Sequence, residues 1–125
     1  MDEVELTIPA TIVESLPEGS EDAVADMERA VEGFEASINE AVRDAEDGEA
    51  AAAIVDAIEQ MEARAERYDE FVPELRAWGQ SPIYAIAWRN LHLALIRQLY
   101  DHDAVGDRID RERNFRLVDD GIRKR

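Results

Sequence analysis

The sequence predicts a mainly α-helical bundle: an antiparallel helical hairpin and a central, apolar third helix, preceded by a short strand. Three observations carry that prediction. Two long stretches place apolar residues at alternating spacings of three and four, the repeat of one helix face. Breaks at Pro17-Glu18-Gly19, Asp47-Gly48 and Gly79-Gln80-Ser81-Pro82 separate the helical stretches. Finally, 125 residues, 46% of them hydrophobic, suffice for one packed domain, of a size that buries roughly two-thirds of its unfolded surface. We therefore expect residues 1–125 to form a single helical domain. Its parts are a strand and short helix (1–19), an acidic hairpin (20–78), a central helix (79–104) and an Arg-rich tail (105–125).

At the start, Val4, Leu6 and Ile8 alternate with Glu5 and Thr7, the two-residue period of a half-buried strand, and Pro9 ends it. The strand's expected partner is either the C-terminal segment NFRLV or a second chain. Residues 10–16 suit two helical turns. Ser20 then offers a side-chain oxygen to cap a helix whose first turn holds Glu21 and Asp22, favourable at the positive end of the helix dipole. Along it run Val24, Met27, Val31, Phe34, Ile38, Ala41 and Ala45, a heptad seam closed by Asp47-Gly48. The second helix carries the matching seam Ile54, Ile58, Met61, Ala65, Tyr68 and Val72 until Pro73 removes a backbone donor, and Ala50 to Ala53 allow close approach. So short a link predicts antiparallel helices. The pattern itself fits pairing within one chain or between two. Ser81 and Pro82 open the third helix, which reaches about His102 and is apolar over most of its circumference, predicting burial on several sides.

Charge narrows the setting. Lys and Arg number 14 against 30 Asp and Glu, for a net charge of −16, and Lys124 is the only lysine. Residues 1–60 hold 18 acids against Arg29 and Arg43, whereas the second half balances. An acidic surface with arginine in place of lysine is the composition expected of an extreme halophile's cytosol. There, molar salt shortens the Debye length to about 3 Å and the carboxylates serve hydration. Seven of the eight aromatics fall after residue 67, so the main core is expected in the second half. The absence of cysteine excludes disulfides, thiolate metal sites and thiol chemistry. The opening MDEVEL lacks the basic flank and apolar run of a secretory leader. The most apolar stretch, from Ile83 to Tyr100, is interrupted by Arg89, Asn90, His92 and Arg97, so a cytoplasmic protein without a membrane span is expected.

Catalytic signatures are sparse. No Gly-x-Ser-x-Gly, phosphate-cradling glycine loop or His-Glu-x-x-His occurs, and neither histidine has the Glu three residues before it that a di-iron bundle requires. Asp101-His102-Asp103 clusters possible ligands, but neighbours at a helix end point apart, and no metal or cofactor is expected. The run Arg97-Gln98-Leu99-Tyr100-Asp101-His102, an Arg and a His with four residues between them at a helix end, resembles the marker of the helical HEPN ribonucleases. That resemblance implies Arg97 holding a phosphate and His102 moving a proton at a dimer seam. Alternatively, both residues simply complement the helix dipole. The segment VELTIPATIVESLPEGSEDAVADMERAVEGF resembles the ribbon-helix-helix layout, which implies a strand paired with its twin. Its outward set Glu3, Glu5 and Thr7 would set carboxylates against phosphates.

In the tail, Arg108, Arg111, Arg113, Arg116, Arg123, Lys124 and Arg125 are candidate phosphate contacts, opposed by Asp107, Asp110, Glu112, Asp119 and Asp120. Taken together, these residues point to a non-enzymatic interaction or regulatory protein of a halophilic cytosol. It is expected to act as a helical homodimer through the seam Val24, Met27, Val31, Phe34, Ile38, Ile54, Ile58 and Met61. The alternatives are a nucleic-acid-associated protein using the Arg-rich end and, more distantly, a HEPN-like ribonuclease.

Overall fold

The computed structural model describes residues 3–46 and 49–102. These form four helices: α1 (Ala10–Glu14), α2 (Glu21–Asp44), α3 (Ala50–Ala77) and α4 (Ile83–Tyr100). At 1.5 Å per residue α3 is roughly 42 Å long and forms the spine. α4 packs along it most extensively, α2 packs on it less, and α1 touches α4. Contacts mirror about the turn at 78–82: Tyr68 stacks with Trp88, Asp69 pairs with Arg89, and Glu62 accepts from the Tyr100 hydroxyl, so α3 and α4 run antiparallel. Across the first link, Arg64 of α3 lies over the Phe34 ring of α2, the register of an antiparallel hairpin. The mainly helical bundle expected from the sequence is thus the observed architecture.

The α3 seam behaves as its spacing requires, with Ile54, Ile58, Met61, Ala65 and Val72 buried and Tyr68 half-buried. On α2, Met27, Val31 and Ile38 are buried and Val24 and Phe34 half-buried. The α2 seam then departs from the heptad: Ala41 is exposed, while Asn39 is buried and Val42 packs on the core. An unsupercoiled helix of 3.6 residues per turn drifts off a strict 3.5 repeat, and Val42 offers more apolar area than Ala41.

Pro73 does not end α3, which continues to Ala77. Pro73 is exposed, so the Asp69 carbonyl that loses its partner lies on the outer side of the helix. The true stop is Gly79, at φ +75°. There the Gln80 N–H donates to the Leu75 carbonyl (2.8 Å) and the Gly79 N–H to the Arg76 carbonyl (3.1 Å), a Schellman closure. The other expected stop, Asp47-Gly48, lies outside the described residues. Ser81 Oγ accepts from the Ile83 N–H at 3.4 Å, but Pro82 holds the N-cap position expected for Ser81 and α4 begins one residue later, at Ile83. Ser20 does not cap α2. Its hydroxyl donates to the Pro17 carbonyl and its oxygen receives the Tyr84 hydroxyl at 3.0 Å, so burial recruited it to tie α2's entrance to α4.

Three further expectations need correction. First, no strand forms among the described residues. Residues 3–9 are extended, with Val4 and Leu6 buried and Glu5 and Thr7 exposed, so the alternation was real, but the backbone partners are helix side chains. The Asn39 amide accepts from the Val4 N–H (2.7 Å) and donates to the Val4 carbonyl (2.9 Å). The Gln98 amide does the same for Thr7 at 2.9 and 2.8 Å, and Glu35 accepts from the Leu6 N–H. A side-chain amide presents the same donor and acceptor as a strand neighbour. Residues 114–118, the other expected partner, lie outside the described residues.

Second, α4 is buried on one face: Ala87, Leu91, His92, Leu95, Ile96 and Leu99 are inside, while Leu93, Tyr84 and Tyr100 are exposed. Among the described residues its neighbours, α3, residues 3–9, α1 and the Phe34 ring of α2, gather on that side and leave the Leu93 side open. Third, the aromatics do not make the core. Phe71, Trp78, Tyr84 and Tyr100 are exposed, and the largest fully buried side chains are Met27, Ile54, Ile58, Leu91, Leu95 and Leu99. No helix among the described residues is long and apolar enough to cross a membrane.

Candidate functional site

Of the seam residues Val24, Met27, Val31, Phe34, Ile38, Ile54, Ile58 and Met61, all but the half-buried Val24 belong to or pack on the chain's own core, where α2 and α3 meet beneath α4. Their apolar surface is satisfied within one chain. The basic residues Arg108, Arg111, Arg113, Arg116, Arg123, Lys124 and Arg125 lie outside the described residues. What the bundle leaves open is a second stripe on α3. Phe71, Leu75 and Trp78 follow at spacings of four and three, one helix face alongside the Ile54–Val72 seam, whose repeat Leu75 continues. Phe71 is 52% exposed and Trp78 80%, with Leu75 half-buried between them. Upstream, Arg67 lies one turn before Phe71, and Glu74 follows three residues after it. Among the described residues the ion pairs are Arg29 with Asp26 and Arg89 with Asp69, so neither Arg67 nor Glu74 is engaged. The Schellman closure fixes the backbone under Trp78 and holds its indole on the outer end of the helix.

A second opening, a groove of about 610 Å³, runs between α1 and α4. Its walls include Ile12, Leu93 and Ala94 on the apolar side and Asn90, Arg97 and Asp101 on the polar side. Arg97 is exposed there. His102 is not part of that wall; it follows the helix end, with its N–H donating to the Leu99 carbonyl at 3.2 Å. Among the described residues, Arg97 thus lines this groove and His102 does not. Nor does the other histidine supply a free base. His92 is 2% exposed and sits among Phe34, Tyr68 and Trp88, with ring centroids 5.5–6.4 Å away. Its Nδ1 bonds the Trp88 carbonyl at 2.8 Å, which makes Nδ1 the protonated nitrogen, while Nε2 is buried without a partner. Burial holds the imidazole below the ordinary histidine range, the Trp88 carbonyl pulls it partly back, and the Arg64 charge pushes it down again. His92 is a neutral core residue. No group of three His, Asp or Glu side chains among the described residues is arranged to hold a metal ion.

The residues that sequence reasoning passed over are Phe71, Leu75 and Trp78 as a surface, and Asn39 and Gln98 as backbone clamps. The stripe's four-three spacing is legible in the sequence, but there the expectation rests only on Phe71 and Trp78 as members of an aromatic-rich second half that would hold the main core. The amides carried no signal, because their partners lie 35 and 91 residues away. Neither a curated protein nor a solved structure matches the chain. A family model does match it over residues 1–125, and the chain belongs to that family, the family of unknown function DUF7971.

Proposed function

We propose that this chain is a non-enzymatic protein-interaction module, working in the cytosol of a halophile, that presents Phe71, Leu75 and Trp78 to a protein partner. The observation that carries this reading is Trp78. A tryptophan left 80% exposed on a rigid helix end, beside a half-exposed phenylalanine, has no role in the chain's own core. Large aromatics are the side chains that anchor protein interfaces, and contiguous exposed apolar patches mark such surfaces. The heptad seams, by contrast, are largely buried in the chain's own bundle, which leaves this stripe as the exposed apolar face of α3.

The test is affinity capture of the tagged protein from its native cells in molar KCl, comparing wild type with a Phe71→Ala/Trp78→Ala variant. Both side chains are exposed, so the variant should keep its helical circular dichroism. A defined partner recovered by the wild type and lost by the variant supports the reading. Equal recovery by both, or RNA cleavage by the purified protein that disappears in a His102→Ala variant, overturns it.

A further inference from the structure

The exposed stripe has a charge arrangement that names its partner. Arg67, Phe71, Glu74 and Trp78 follow at spacings of four, three and four along one face of α3, with Leu75 beside them. The base lies at one end of the aromatic pair and the acid toward the other. Reversed end for end about the point between Glu70 and Phe71, the face presents Glu74 where Arg67 stood and Arg67 where Glu74 stood. A surface whose charges exchange under a two-fold rotation is self-complementary, the requirement of an isologous contact.

We propose that the partner of this surface is a second copy of the chain, docked antiparallel along the C-terminal third of α3. Phe71 meets its own copy at the axis, and Arg67 of each chain pairs with Glu74 of the other. This rests on the interaction reading above and adds the identity of the partner. The Arg67 and Glu74 side chains have no ion-pair or hydrogen-bond partner among the described residues, so neither must be released to form the contact.

Size sets the strength. With full aromatic side chains at about 150–250 Å², the exposed fractions of Phe71 and Trp78 give roughly 300 Å² of aromatic surface per copy. Stable dimers bury about 800 Å² per partner, so this pair is a weak, concentration-dependent one. Each copy also carries −16, and their mutual repulsion is long-ranged at low ionic strength. Molar salt screens that long-range repulsion while charges at contact distance are only partly screened and apolar burial is intact, so dimerisation strengthens as salt rises.

The experiment is sedimentation equilibrium of the full chain in about 1 M KCl, from about 10 μM to about 1 mM, the range of a small interface. The expected mass rises from the 14.1 kDa monomer toward twice that value, and rises less at low salt. Phe71→Ala/Trp78→Ala should hold the protein monomeric. Arg67→Glu alone, which sets two pairs of acids face to face, should weaken association about three- to tenfold. Arg67→Glu combined with Glu74→Arg should restore it, a rescue that misfolding cannot mimic. A wild-type mass of one chain throughout, a Phe71/Trp78 variant that dimerises normally, or failure of the charge swap to rescue each overturns the second-copy assignment. If the wild type stays monomeric yet still captures a different partner through Phe71 and Trp78, this proposal falls and the interaction reading stands.

Discussion

The Asn39 clamp allows a sharp test of how the N-terminal segment is held. Asn39→Asp changes one NH2 into an oxygen with almost no change in shape, in a chain that already carries 30 acids. Oδ1 can still accept from the Val4 N–H, now 2.7 Å away, but the 2.9 Å bond to the Val4 carbonyl is lost and an oxygen faces an oxygen. Losing the bond costs about 1 kcal/mol, and leaving the buried carbonyl unpaired beside a carboxylate adds about 1–3 kcal/mol. The cost is bounded above, because residues 3–9 can detach instead, forfeiting the burial of Val4 and Leu6 at about 1.5–3 kcal/mol each.

We therefore expect a loss of about 2–4 kcal/mol, read from urea unfolding by circular dichroism at pH 7 and fixed salt. Hydrogen exchange at Val4 and Leu6 should accelerate with it. As the pH falls into the carboxyl range, the new side chain gains a proton, can donate to the Val4 carbonyl again, and the gap to wild type should narrow. A variant within about 0.5 kcal/mol of wild type at pH 7 would show that the clamp contributes nothing and that the segment is held by its apolar side chains alone.

Other perturbations follow from the same packing. His92 is held neutral in the fold, while the unfolded chain takes up a proton near the ordinary value of 6.5, so its contribution is present above that value and lost as the pH falls. Stability should drop more between pH 7 and pH 5 in wild type than in His92→Phe, and parallel curves would refute this. Phe34→Ala should cost about 2–3 kcal/mol in urea unfolding, below the 3–5 kcal/mol of a fully buried ring, because Phe34 is half-buried under Arg64 and edge-on to His92. A cost under about 1 kcal/mol would mean that this part of α2 does not pack on α3 and α4. Helical circular dichroism should rise from low to molar KCl, since the first 60 residues carry 18 acids and two bases; a flat response would remove the halophile reading.

What the sequence alone determined were the features set by local spacing and backbone chemistry. The helix periods of α2 and α3, the turn at Gly79, the helix start at Ser81-Pro82 and the in-out alternation of residues 4–7 each depend on neighbours within a few positions. They could be read without knowing the fold. Tertiary structure decided everything that depends on which surface meets which. It turned the seams inward to one another within a single chain, left one side of α4 uncovered, and placed Phe71 and Trp78 outside although aromatics ordinarily suggest a core. It also supplied Val4 and Thr7 with Asn39 and Gln98 in place of a neighbouring strand. The periodicity of a helix fixes which residues share a face, but two faces of one helix can be equally apolar. Only the arrangement of the other helices determines which of them is covered.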